Sequence, residues 1–252
     1  MPRIPRRCQY EDSKEDLFLP GALFVFMSNE RKMKRLFSMV AILLSLVMIN
    51  TIAEAQGTPK VLLIPREGRS TNLDLMLSKE VGVMTELLQK AGFKVVVANV
   101  SGQPLEGVIY KLKPDLKLSE VKVDDYAGVI LACMATGFFP GPPVSPEAVS
   151  IVKQAVAKGK PVAAPAGSVY ILAEAGILKG RRYAFVDDQF NPLPPNPKDP
   201  RFEGAIYGGS GVVQDGNIIT SAVCPNIEAR VGMHDCTPEL TRAFIAKLGR
   251  KK

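Results

Sequence analysis

Four short runs of β-branched and small apolar residues recur along the chain, with longer amphipathic stretches between them. The runs are Val61–Ile64, Val95–Ala98, Val129–Leu131 and Val162–Ala164. Strands that are apolar on both faces are typical of parallel sheets covered by helices on both sides. Their alternation with amphipathic segments is the pattern of βαβ units. The sequence therefore predicts an α/β fold, with a doubly wound, mostly parallel sheet and helices on both faces.

Three segments have the apolar spacing of amphipathic helices. Residues 75–90 form the first, which Gly92 ends. Residues 146–158 form the second, with Ser145 available as N-cap and Pro146 at the first helical position. The third covers 238–247, with Thr237 as its expected N-cap.

Residues 160–182, KPVAAPAGSVYILAEAGILKGRR, predict a strand that runs directly into a tight turn and a helix. Such a junction can hold one side chain in a strained position above the sheet edge. Backbone N–H groups and the helix N-terminus then stabilise an anion there. In this chain the residue at that position is Ala166, which offers no nucleophile.

The junction resembles the PfpI/ThiJ family, relatives of the Parkinson's-linked deglycase in the class I glutamine-amidotransferase-like superfamily. Residues 162–169, VAAPAGSV, align with the family's Val-Ala-Ala-Ile-Cys-His-Gly-Pro, so its cysteine falls on Ala166 and its histidine on Gly167. Residues 172–181 and the segment Asp215–Ser221 match further motifs in order. The resemblance covers about residues 60–222 and implies a flavodoxin-like fold and a homodimer.

The resemblance also implies where a site would lie. In the family a protonated glutamate of the first helix holds the reactive cysteine, and that glutamate corresponds to Glu80. The family's Pro-Gly-Gly, which supplies an anion-stabilising amide, is replaced here by Ala132-Cys133-Met134. The expected ligand-binding crevice is lined by Glu80, Cys133, Met134, Ala166, Gly167 and Ser168.

Two residues are candidates to replace the missing nucleophile. Cys133 arrives near the mouth of the implied site, although a buried thiol often acts only as a small hydrophobe. Ser168 lies two positions beyond Ala166 and has no base beside it, which favours capping or packing. The only histidine, His234, lies outside the matched region. This scarcity excludes a histidine-based metal site and a Ser-His-Asp triad, and no cofactor is implied.

The N-terminal region has the pattern of a signal peptide. Lys34 and Arg35 precede an uncharged run over residues 36–53, and Ala53-Glu54-Ala55 forms an Ala-x-Ala cleavage site before Gln56. We expect residues 1–32 to be a non-native or overlong N-terminal extension, 33–55 the signal peptide and 56–252 one domain. The product would then be periplasmic or secreted, without a stable membrane anchor. The alternative is an uncleaved anchor formed by residues 36–53.

Charge and cysteine content bear on two kinds of function, nucleic-acid binding and disulfide chemistry. Of 32 basic and 25 acidic residues, 8 and 6 precede Gln56, which leaves 24 and 19 in the mature chain, a net charge of +5. These charges are scattered, which argues against a nucleic-acid partner. Cys133, Cys224 and Cys236 remain after cleavage, and Cys224 and Cys236 could pair in an oxidising compartment.

These observations favour an exported PfpI/ThiJ-like domain that has lost the family's cysteine chemistry and acts as a small-molecule-binding or structural module. One alternative is a hydrolase or glyoxalase-like enzyme that uses Cys133 or a non-thiol mechanism. A second is a redox-responsive protein that uses Cys224 and Cys236.

Overall fold

The computed structural model describes residues 57–67, 71–133, 144–186 and 199–249. Pro59–Lys252 fall in one compact unit. A second unit, Glu11–Thr58, lies outside the described residues except for Gly57 and Thr58. The predicted extension, signal peptide and alternative anchor therefore lie outside the described residues, as does Met134. Within the described ranges, no helix has the length and apolar content needed to cross a membrane.

A seven-stranded sheet in the order β10-β11-β7-β6-β1-β2-β5 forms the centre of the domain. Every neighbouring pair is parallel except β10 and β11, which form an antiparallel hairpin. Its strands are β1 (Lys60–Ile64), β2 (Lys94–Asn99), β5 (Leu116–Lys117), β6 (Gly128–Leu131), β7 (Val162–Pro165), β10 (Val212–Asp215) and β11 (Ile218–Ser221). Two small pairs, β3 (Leu105–Glu106) with β4 (Lys111–Leu112) and β8 (Arg182–Tyr183) with β9 (Ile206–Tyr207), lie outside this sheet.

The helices cover both faces of the sheet, which confirms the predicted architecture. They are α1 (Thr71–Leu75), a π-helical segment (Met76–Val81), α2 (Gly82–Lys90), α3 (Pro146–Ala157), α4 (Val169–Glu174), α5 (Pro225–Val231) and α6 (Thr237–Leu248). Short 3₁₀ segments occupy Leu118–Glu120, Val123–Asp125, Ala166–Ser168 and Pro200–Phe202.

Two apolar cores lie on opposite faces of the sheet. In β1, Leu62 and Ile64 belong to one core, and Val61 and Leu63 to the other. All four side chains are fully buried, since alternate residues of a strand point to opposite faces. This burial explains why the sequence shows a continuous apolar run rather than an alternating one.

The helix ends agree with the sequence only in part, since the first helical segment begins at Thr71 rather than at residue 75. The Ser145 hydroxyl accepts the Ala148 N–H at 3.2 Å and caps α3, as predicted. Thr237 is not the N-cap of α6 but its first residue. Instead, the Asp235 carboxylate accepts the Thr237 N–H at 2.9 Å and its hydroxyl at 2.7 Å.

Candidate functional site

Four neighbouring parallel strands bring the candidate site together at one edge of the sheet. Arg66 follows β1, Cys133 follows β6, Ala166 follows β7 and Cys224 follows β11. These strands are adjacent in the order β11-β7-β6-β1. Because ligands bind outside the carboxyl ends of the strands in open α/β sheets, this edge is the expected position of a crevice.

The strand–helix turn has a strained backbone at Ala166, a residue that carries no nucleophile. Ala166 has φ +43°, and it is the only non-glycine residue of the described segments with a positive φ. This left-handed conformation costs roughly 1–2 kcal/mol for a residue with a Cβ. The Ser168 hydroxyl donates to the Ala132 carbonyl at 2.8 Å and ties the turn to the end of β6. Ser168 is fully buried there, so its hydroxyl serves the turn rather than the crevice.

A π-helical turn directs Glu80 into the protein interior. The Gly82 N–H reaches back five residues to the Leu77 carbonyl, and this extra residue in the turn shifts the helix register. A Cβ at Gly82 would lie 3.3 Å from the same carbonyl, so a glycine suits this position. As a result the Glu80 carboxyl is fully buried.

One oxygen of Glu80 is used and the other is not. Oε1 accepts the Cys133 N–H at 2.6 Å, whereas Oε2 is buried and finds no hydrogen-bond partner among the described residues. Burial raises the pKa of Glu80 well above its ordinary value, and the neighbouring Cys133 charge raises it further. The raised pKa favours the protonated form of the carboxyl, whose O–H can donate into the site.

Two thiols lie beside this carboxyl. The Cys133 and Cys224 sulfurs and a Glu80 oxygen all lie within 4.8 Å of one another. Both cysteines are buried and pack with Ala166 in one small cluster. Both thiols are free, so Cys224 does not form the possible disulfide with Cys236 that the sequence allows, and it lies beside Cys133 instead.

The two thiols differ in acidity. A hydrogen bond from Cys224 lowers the pKa of Cys133, against the effect of its burial, and the Gly167 amide and the Arg66 charge lower it as well. The same contact with Cys133, together with burial, raises the pKa of Cys224 well above its ordinary value. Cys133 is thus the more acidic thiol of the pair and Cys224 the hydrogen-bond donor.

Arg66 contributes an unused donor pair. Its Nε and Nη2 atoms are buried and have no hydrogen-bond partner within the described segments. These two N–H groups form one edge of the guanidinium, which binds a carboxylate or phosphate through two parallel hydrogen bonds. Sequence reasoning missed this residue, although a charged side chain two positions after a buried strand is a recognisable signal.

Glu80, Cys133 and Cys224 are also the one group of three metal-ligating side chains found in the described part of the chain. A carboxylate and two thiolates are ligands that zinc accepts. However, the charge of Arg66 acts on both Glu80 and Cys133, and burial keeps Glu80 protonated. Both features oppose a divalent cation, so we do not assign a metal to these residues.

Comparison with known proteins gives the family of this chain. Residues 72–229 match the model of the DJ-1/PfpI family. An uncharacterized protein of Archaeoglobus fulgidus is 37% identical over 146 residues, which cover 53% of this chain and 75% of that protein. A deglycase of Pyrococcus abyssi is 31% identical over 142 residues, covering 54% of this chain and 77% of the deglycase.

Solved structures show the same fold. A ThiJ/PfpI domain protein from Brachyspira murdochii superposes with a TM-score of 0.57 at 18% identity, covering 78% of this chain and all of that one. Drosophila melanogaster DJ-1beta superposes with a TM-score of 0.52 at 20% identity, covering 77% of this chain and 92% of that one. The family model matches more than half of this chain, which therefore belongs to the DJ-1/PfpI family.

Proposed function

We propose that this protein is an exported DJ-1/PfpI domain that binds a small carboxylate at the carboxyl edge of the sheet and lacks catalysis by a cysteine at the strand–helix turn. The observation that carries this proposal is Ala166. It keeps the strained backbone of the turn and presents only a methyl group where a nucleophile would stand. A turn that retains its strain without its nucleophile supports a role in shaping a binding site.

The unused polar atoms define the ligand chemistry. The Arg66 edge offers two N–H donors, and protonated Glu80 offers an O–H donor from Oε2. Leaving buried donors unpaired costs about 1–3 kcal/mol for each group, more when the group is charged. A small carboxylate supplies oxygen acceptors for both residues, so its binding would recover this free energy.

Calorimetric titration of the full chain tests the proposal, with acetate, glycolate and lactate as the probes. We expect saturable binding of at least one of them. Arg66→Lys keeps the charge but loses the two-pronged geometry, so affinity should fall about tenfold or more. The matched control is Arg182→Gln, which removes an exposed arginine away from the site and should leave affinity unchanged. Equal affinities for all three proteins, or no binding by any, would reject a carboxylate site at Arg66.

The rival function is an enzyme that uses Cys133, and one observation favours it. Cys133 has a lowered pKa and receives the Gly167 amide, as a catalytic thiolate would. The Pyrococcus abyssi relative is named a deglycase, which makes glycated substrates relevant. We expect no turnover of methylglyoxal and no cleavage of unfolded protein. Activity that both iodoacetamide and Cys133→Ser abolish would establish the rival.

Export rests on the signal-peptide pattern of residues 33–55. N-terminal sequencing of the protein isolated from its producing cell should begin at Gln56. Recovery of the intact residues 36–53 from the membrane fraction would instead establish the anchor.

The resemblance also suggests a homodimer, and an exposed apolar tip supports this. Val108 and Ile109 are 73% and 77% exposed. Their backbone amides and that of Tyr110 all donate to the Asp74 carboxylate of α1, at 2.8–2.9 Å. The tip is thus held rigidly beside the first helix. Light scattering should show a dimer that Ile109→Asp shifts to a monomer, and an unaltered mass for that variant would exclude this surface.

A further inference from the structure

The two free thiols of the site lie almost within bonding distance. Their sulfurs are no more than 4.8 Å apart, and a disulfide requires about 2.05 Å. Cys133 lies two residues beyond β6, and Cys224 is the residue that precedes α5. The two side chains therefore come from segments that are far apart in sequence but adjacent in space. Formation of a disulfide requires the two sulfurs to approach each other further, by rotation about the side-chain bonds and adjustment of the backbone.

The surroundings of the two sulfurs are unequal. Cys133 is 6% exposed, contacts the Gly167 amide and lies close enough to Arg66 to be influenced by its charge. Cys224 has no exposed surface and donates its hydrogen to Cys133. A small reagent can therefore reach the Cys133 sulfur first, whereas the Cys224 sulfur is not accessible from solvent.

We propose that Cys133 and Cys224 are a redox-active thiol pair, in which Cys133 reacts with a small hydroperoxide and Cys224 converts the product to a disulfide. This activity goes beyond the proposed ligand binding. It needs neither a nucleophile at Ala166 nor a bound carboxylate. It also replaces the pairing of Cys224 with Cys236 that the sequence allowed.

The reaction balances with groups of the site. The Cys133 thiolate attacks the terminal oxygen of the hydroperoxide, and the O–O bond breaks. Cys133 becomes a sulfenic acid, and the leaving alkoxide takes the proton of Glu80 to form an alcohol. Cys224 passes its proton to the Glu80 carboxylate, and its sulfur attacks the Cys133 sulfur. The S–O bond breaks, and the departing hydroxide takes this proton to leave as water. Two thiol sulfurs are oxidised by two electrons and the peroxide is reduced by two.

The test uses the reduced full chain with one equivalent of hydrogen peroxide. We expect the intact mass to fall by two hydrogens and peptide mapping to find Cys133 linked to Cys224. In Cys224→Ser, the reaction should stop at a sulfenic acid on Cys133, which dimedone traps. Cys133→Ser should form neither product.

A second variant measures the role of the site's charge. Arg66→Gln should slow oxidation of Cys133 about tenfold, because the positive charge that lowers the pKa of Cys133 is lost. Arg182→Gln is the matched control and should oxidise at the wild-type rate. Circular dichroism before and after oxidation shows that each protein remains folded.

Three results would overturn the proposal. One is a folded wild-type protein that forms no Cys133–Cys224 link. Another is a Cys133→Ser variant that consumes peroxide as fast as the wild type. The third is a native mass that includes a metal ion, with oxidation only after a chelator removes it, since the pair would then be a metal site.

Discussion

Glu80 should make the free energy of unfolding depend on pH in a way that one substitution removes. In an unfolded chain its carboxyl loses its proton near the ordinary value of 4.5, whereas in the folded protein burial raises this pKa well above that value. Above pH 4.5 the unfolded state therefore binds fewer protons at this position than the folded state. Stability falls as pH rises through this window, by about 1.4 kcal/mol per pH unit.

Glu80→Gln isolates this contribution. Its amide oxygen can still accept the Cys133 N–H, and it has no proton to lose. The unfolding free energy of the variant relative to wild type should therefore rise as the pH increases above about 4.5, with a limiting slope of about 1.4 kcal/mol per pH unit, until the pH passes the raised pKa of the folded state. The charged and titratable groups that act on Glu80 are Cys133, Asp235 and Arg66. They are common to both proteins, so their own contributions cancel to first order in the difference.

Urea denaturation followed by circular dichroism at several pH values measures the difference. The matched control is Glu86→Gln in the same helical region. Glu86 is exposed, and its pKa is lowered by the hydrogen bond from Lys90. Since both states of that group are ionised above about pH 5.5, its difference curve should be flat. A flat curve for Glu80→Gln as well would refute the conclusion that Glu80 is protonated in the folded protein.

Three further substitutions test the turn and the packing. Ala166→Cys, made in a protein that lacks the Cys133 and Cys224 thiols, should react with iodoacetamide at pH 7 faster than glutathione does, because the new thiol lies at a helix N-terminus. A rate no higher than that of glutathione would mean that the turn is closed to the reagent. Gly128→Ala should destabilise the fold by about 1–3 kcal/mol in urea denaturation, because its Cβ would lie 2.9 Å from the Pro161 carbonyl oxygen; an unchanged midpoint would contradict the packing. Asp199→Asn should lower the free energy of unfolding by about 2–3 kcal/mol, since the buried Asp199 carboxylate accepts hydrogen bonds from Nε and Nη2 of Arg201 at 2.6–3.1 Å. A loss under about 0.5 kcal/mol would show that this ion pair contributes little to stability.

The strands could be predicted because strands that are buried on both faces have continuous runs of apolar residues. The run Val95–Ala98 lies within the observed Lys94–Asn99, and Val129–Leu131 lies within Gly128–Leu131. The hairpin between β10 and β11 was visible as Asp215 followed by a glycine and an asparagine. In the structure Asp215 pairs with Ile218 across those two residues.

Parts of the site depended on features that no local pattern encodes. The π-helical turn that directs Glu80 inward involves one bond from the Gly82 N–H to the Leu77 carbonyl, and ordinary helical spacing fits the same residues. Cys224 lies beyond Asp215–Ser221, the last motif matched in the sequence analysis, so nothing in the sequence placed it beside Cys133. Proximity of this kind arises from the order of strands in the sheet, which residue spacing does not determine.

The sheet geometry explains how a thiol can remain in this site without a cysteine at the strand–helix turn. The neighbouring strands β6 and β7 are parallel, and such strands lie about 4.8 Å apart, so the residues that follow them face the same small space. Cys133 therefore meets Ala166 at the shared edge, and Cys224 reaches the same cluster from beyond β11. The Cys133 thiol therefore lies beside the strand–helix turn rather than at its apex, close to the Gly167 amide. We expect a substrate held above the apex to be poorly oriented for attack by this thiol, whereas the proposed reaction with a small oxidant needs little orientation.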